Sequence, residues 1–106
     1  MKLGIIISTN DAETCWNALR YANYGLKQKY IVQVFLIGKG VEYLKVSSDE
    51  FNTQEEAEKF QNGGGTIFAC GTCVKARGDK DSKLCPISSL KDLDDVIMKS
   101  DKIVTF

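Results

Sequence analysis

Three short stretches of this chain are apolar almost without interruption: Leu3 to Ile7, Ile31 to Ile37 and Thr66 to Cys70. A strand with one face in water alternates apolar and polar residues. A run that stays apolar at successive positions and is rich in β-branched side chains is instead buried on both faces. Such strands belong to parallel sheets, whose neighbours must be joined by crossover helices. The intervening segments read as those helices. Asn10 or Asp11 offers an N-cap, with Asn10-x-x-Glu13 at capping-box spacing, and Ala12, Cys15, Trp16, Leu19, Ala22 and Leu26 follow at helical period, which predicts a helix over 11 to about 27. Gly38-Lys39-Gly40 closes the second strand. Thr53-x-x-Glu56 opens a shorter helix that turns Ala57 and Phe60 inward and stops at Gly63-Gly64-Gly65. After the third strand come a loop or short helix over Gly71 to Arg77 and an exposed charged stretch over Gly78 to Lys83. A short edge strand at Leu84-Cys85-Pro86-Ile87 follows, where a proline is tolerable. Ser88 or Ser89 caps a last helix with Leu90, Leu93, Val96 and Ile97 on one face, and Lys102 to Phe106 is a final strand. The βαβαβαβαβ order predicts an α/β protein: one domain over residues 1–106, doubly wound, with a mostly parallel sheet of about five strands and helices on both faces.

Composition narrows the function. Fourteen basic residues balance fourteen acidic ones in 106, so there is no electrostatic footprint for nucleic acid. A near-neutral small domain also tends to self-associate. No segment approaches the roughly 20 apolar residues that span a bilayer, so no membrane partner is expected. The apolar start is too short for a secretory signal, and a cytoplasmic location with reduced thiols is the expectation. Four cysteines in such a chain are free, catalytic or metal-binding rather than a disulfide framework. There is no histidine, the commonest general base and metal ligand.

In open parallel sheets, ligands gather beyond the carboxyl ends of the strands. Three segments arrive there: Ser8 to Asp11, Gly38 to Val41 and Cys70 to Cys73. The candidate catalytic residues are therefore Cys70 and Cys73, with Asn10, Gly38, Gly40, Gly71 and Thr72 as candidate binding residues. Cys70 ends a strand and precedes a helix start, whose free N–H groups and dipole favour a thiolate. Lys75 and Arg77 add positive charge, so substantial ionisation near neutral pH is expected. Residues at the spacing of Cys70 and Cys73 lie about 5–6 Å apart at Cβ on a helical turn, and a disulfide needs roughly 3.5–4.5 Å. A small adjustment lets the pair close, so it can cycle between dithiol and disulfide, or Cys73 can attack a persulfide held on Cys70.

Zinc wants four sulfur or nitrogen ligands, and this chain has one C-x-x-C knuckle, with Cys15 on an apolar helix face and Cys85 unplaced. No metal and no cofactor are expected. Thioredoxin-like chemistry also uses C-G-x-C, but there the motif follows an early strand. Here it follows three strands and two helices, with Pro86 only thirteen residues beyond Cys73. Gly38-Lys39-Gly40 lacks phosphate-loop spacing, and Gly63-Gly64-Gly65 precedes a strand rather than a helix.

The first strand and its polar turn, Phe35-Leu36-Ile37-Gly38-Lys39-Gly40-Val41, Ile67-Phe68-Ala69-Cys70-Gly71 with Arg77-Gly78 downstream, and the ending Asp101-Lys102-Ile103-Val104-Thr105-Phe106 together resemble the DsrE/DsrF-like family over nearly the whole length. The resemblance implies a flavodoxin-like fold in homotrimers, homohexamers or mixed assemblies. It also implies that Cys70 accepts sulfane sulfur as a persulfide and passes it to an acceptor thiol or partner protein, as a sulfurtransferase in a relay with donor and acceptor proteins. Family membership does not by itself bring transferase activity. The alternatives are a non-catalytic oligomeric binding subunit, or a dithiol/disulfide redox protein using Cys70 and Cys73.

Overall fold

The computed structural model describes residues 1–106. Its five strands are β1 (Lys2–Ile7), β2 (Ile31–Leu36), β3 (Thr66–Cys70), β4 (Ile87–Ser88) and β5 (Lys102–Thr105). All pair in parallel, in the order β4-β3-β2-β1-β5. The helices are α1 (Ala12–Lys27), α2 (Thr53–Asn62), α3 (Gly71–Ala76) and α4 (Leu90–Lys99), with a 3-10 turn at Gly38–Glu42. The predicted α/β class, strand count and helix positions hold.

The strand order dictates where the helices lie. The steps from β1 through β2 and β3 to β4 all move one way, and right-handed crossovers therefore put α1, α2 and α3 on one face. The return from β4 to β5 moves the other way and carries α4 to the opposite face. Chain leaving β3 and chain leaving β4 thus diverge to opposite sides. The crevice at their carboxyl ends is the topological switch point, where ligands of open α/β sheets bind.

On the first face, Leu3, Ile5, Ile7, Val32, Val34 and Leu36 pack against Cys15, Ala18, Leu19 and Ala22 of α1, Ala57 and Phe60 of α2, and Val74 of α3. Each large aliphatic side chain buried in this way contributes about 1.5–3 kcal/mol. The stripe of α1 is rotated slightly from the predicted one: Ala18 and Gly25 are buried, and Trp16 lies at the margin beneath Arg20. The second face carries Phe35 and is covered by α4 alone. Of the four residues expected to pack there, only Val96 is buried, while Leu90 and Ile97 are 67% and 42% exposed.

Two helix starts differ from the predicted capping boxes. Asp11 caps α1, its carboxylate accepting from Thr14 N at 2.9 Å, so Asn10 is left free to face elsewhere. Asn52 caps α2 by accepting from Glu55 N at 2.9 Å. Thr53 turns its hydroxyl inward and donates to the Tyr43 carbonyl at 2.6 Å, fully buried. An asparagine cap one residue upstream satisfied the helix and released the threonine to tie the 43–53 loop to the core. At the last helix the expectation stands: Ser89 caps α4 in a capping box with Asp92. The edge strand is shorter than predicted. It begins at Ile87, because Cys85 is engaged with Ser82 in an isolated antiparallel bridge.

Candidate functional site

Cys70 is the last residue of β3 and the N-cap of α3, with φ −56° and ψ 115°. It pairs in register with Ser88 of β4, which places it at the switch-point crevice. β3 is the neighbour of the edge strand, and β2 is the centre of the sheet. The glycine that follows is required by packing: a Cβ on Gly71 would stand 2.9 Å from Ile87 Cγ2 and 3.1 Å from the Ser88 carbonyl oxygen. Gly71 therefore lets α3 sit close to β4. Thr72 is exposed beside it.

As a residue, Cys70 is 8% exposed. Burial pushes this thiol up, the neighbouring Cys73 thiol adds to that, and the N–H groups of Thr72 and Cys73 pull the other way without winning. The expected ionisation near neutral pH is thus overturned for the free chain. A six-residue helix offers little dipole, and desolvation outweighs it.

Cys73 has the better-defined partner. The backbone N–H of Gly38 donates to Cys73 Sγ at 3.2 Å, joining the turn after β2 to the helix after β3. Arg77 Nη1 donates to the Cys73 carbonyl at 3.0 Å, and its Nε donates to Glu42 Oε2 at 2.6 Å. Asn10 Nδ2 donates to the other Glu42 oxygen at 3.4 Å. The Arg77 bond, then Asn10, holds the Glu42 carboxyl below the usual carboxylate range. Arg77 was expected to lend its charge to Cys70. That charge is instead neutralised by Glu42, and the pair clamps the 3-10 turn onto α3. Glu42 escaped the sequence reading. Its one signal is that it is an acidic residue just beyond Gly40, at the sheet edge where Arg77 also arrives.

Of the candidate binding residues, Asn10 and Gly38 join this cluster. Gly40 is structural: its α-carbon lies against the end of β1. Cys15 is a core residue whose Sγ donates to the Thr9 carbonyl at 3.2 Å, and burial pushes it up to about 11. Cys85 is buried and faces the Val41 carbonyl at 3.9 Å, lining a cleft of about 190 Å³ with Val41, Leu44 and Val74. No group of three or more cysteine or carboxylate side chains converges as a metal site would. The largest cleft, about 470 Å³ between α1 and α2, is lined by Arg20, Asn23, Lys27 and Lys59, away from the cysteine pair. No helix is long and apolar enough to cross a membrane.

These features define an all-parallel α/β domain with a C-x-x-C pair at its switch point. The sequence pattern of the DsrE/DsrF-like family matches residues 1–106, and the chain belongs to that family, which is generally linked to sulfur relay. The uncharacterized protein MJ0989 of Methanocaldococcus jannaschii is 31% identical, with all of both chains covered. The crystal structure of ychN protein from E. coli superposes with a TM-score of 0.84 at 22% identity, covering all of both chains. The conserved protein of unknown function BT1422 from Bacteroides thetaiotaomicron superposes with a TM-score of 0.79 at 21% identity, over 99% of this chain and 94% of its own. The two structures share the fold.

Proposed function

We propose that the protein is a sulfur carrier that accepts sulfane sulfur on Cys70 and passes it to an acceptor thiol. The observation that carries this reading is the place of Cys70 at the β3/β4 switch point, beside the Thr72 and Cys73 N–H groups and a second thiol. In the loading step, Cys70 thiolate attacks the terminal sulfur of a donor persulfide, the S–S bond of the donor breaks, and the donor thiolate leaves. Cys70 then carries S–SH. An acceptor thiolate attacks that outer sulfur and Cys70 thiolate departs, with no net oxidation. The donor persulfide leaves as a thiolate and the acceptor is a thiol, so the reading sets the protein in the reducing cytoplasm.

The test is mass spectrometry of the reduced protein after a brief exposure to inorganic polysulfide. One added sulfur atom is expected, mapped to the peptide that contains Cys70, and none is expected there in Cys70→Ser. Equal sulfur uptake by Cys70→Ser at another cysteine would sink the assignment.

The same reading has the carrier working as a trimer or hexamer of this chain. Leu90 and Met98 of α4 are 67% and 74% exposed, and Ile103 of β5 is 36% exposed. A second copy is the occupant that self-complementary packing of that surface fits. Light scattering at micromolar concentration should give three or six chains for the wild type and a lower mass for Met98→Lys. A wild type that runs as a monomer would overturn this part.

A further inference from the structure

Gly38 N–H aimed at Cys73 Sγ is a contact that simple carriage of sulfur on Cys70 does not use. A backbone donor on a sulfur fixes where that sulfur points, and this donor is itself held firmly. Gly38 belongs to a turn clamped to α3 by Arg77 and Glu42, and Arg77 also grips the Cys73 carbonyl. Cys73 is the third residue of α3, and the side chain of an N-cap residue folds back toward that position. The two thiols are close enough for Cys73 to influence the protonation of Cys70 directly. Cys73 is also the more exposed of the pair.

We propose that Cys73 is a resolving thiol that discharges the Cys70 persulfide as sulfide, giving the protein a reductive sulfide-releasing activity beside transfer; the inference rests on the reading of Cys70 as the sulfur acceptor. Cys73 thiolate, held by Gly38 N–H, attacks Cys70 Sγ. The bond between Cys70 Sγ and the outer sulfur breaks, hydrosulfide leaves with the bonding electron pair and its proton, and a Cys70–Cys73 disulfide forms. The sulfane sulfur gains two electrons and the two cysteines together lose two. Two equivalents of a low-molecular-weight thiol then reduce the disulfide, yielding one thiol disulfide and the starting dithiol. Attack at the inner sulfur expels hydrosulfide, a better leaving group than the buried Cys70 thiolate that transfer from the outer sulfur must displace.

The test loads wild type, Cys73→Ser and Cys73→Ala with inorganic polysulfide and removes the excess. Free sulfide is then followed alongside the intact and peptide-mapped masses under non-reducing conditions. Wild type is expected to release one sulfide per loaded chain with a Cys70–Cys73 disulfide. Both variants are expected to keep the Cys70 persulfide about a hundredfold longer, since they lose an intramolecular attack. If all three proteins load Cys70 and hold it equally long, the resolving role is overturned and the carrier reading stands. The same follows if the disulfide joins Cys70 to Cys85. If Cys70 takes no sulfur in any of them, or if the sulfur lands on Cys73, the carrier reading itself fails and this inference with it.

Discussion

Gly40→Ala is expected to destabilise the protein by about 3 kcal/mol or more, at the upper end of what overpacking costs. A Cβ built at Gly40 lies 1.9 Å from the Ile7 carbonyl oxygen and 2.7 Å from its carbon. Neither atom can retreat. The Ile7 oxygen accepts from Ile37 N at 3.0 Å, and β1 is held on both sides by β2 and β5. The turn must therefore move, and it is the turn that carries Gly38 to Cys73 and Glu42 to Arg77. Urea unfolding should show a lower midpoint, and the surviving folded protein should alkylate faster at Cys73. Gly38→Ala is the control. Its φ of +56° penalises a side chain, yet nothing lies within 4 Å, so a loss of about 1 kcal/mol is expected. If Gly40→Ala unfolds at the wild-type midpoint, the tight seating of the turn on β1 is wrong.

The contrast between these two glycines marks how far the sequence could be read. Gly38-Lys39-Gly40 announced a strand exit at the sheet edge, and that much follows from local chemistry. That one glycine is needed for its backbone angle and the other for contact with a strand thirty residues away follows only from the folded chain. The strands were legible because burial on both faces leaves a continuous apolar signature, and α1 because its period is long. α4 was legible as a helix but not in its partner: the pattern Leu90, Leu93, Val96, Ile97 records an apolar stripe and is silent on whether the same chain covers it. Thr53 shows a different limit. Its spacing to Glu56 fits a capping box, but Asn52 takes the cap, and the threonine serves a loop carbonyl. At the site, the cysteine pair and its sheet edge were visible. The Glu42–Arg77 clamp was not, since an ion pair between residues 35 apart has no local signal. Cys70's acidity went astray for a physical reason as well. Charges can be counted along a sequence, whereas desolvation depends on what covers the sulfur.

Alkylation of Cys70 by iodoacetamide, followed by peptide mass mapping, should accelerate about tenfold per pH unit from neutrality to beyond the usual thiol value of about 8.5, without a plateau near pH 7. The sign comes from the surroundings. Burial disfavours the thiolate, Cys73 disfavours it further, and the N–H groups of Thr72 and Cys73 only partly offset them. Below its pKa the reactive fraction falls tenfold for each unit of acidity, so the rate follows pH throughout that range. Cys73→Ala removes one of the two opposing influences and should move the rise toward lower pH. A plateau reached by pH 7 in the wild type would overturn the view of Cys70 as a desolvated thiol and restore a preformed thiolate. The raised value has a consequence for sulfur transfer. A thiolate of higher pKa is the stronger nucleophile once formed and the poorer leaving group afterwards. Cys70 is thereby suited to taking sulfur from a donor and slow to surrender it to an acceptor that attacks the outer sulfur. Loading by polysulfide should share the alkaline rise of alkylation, because both consume the same thiolate. A loading rate flat with pH beside a steep alkylation rate would mean that Cys70 is not the attacking sulfur.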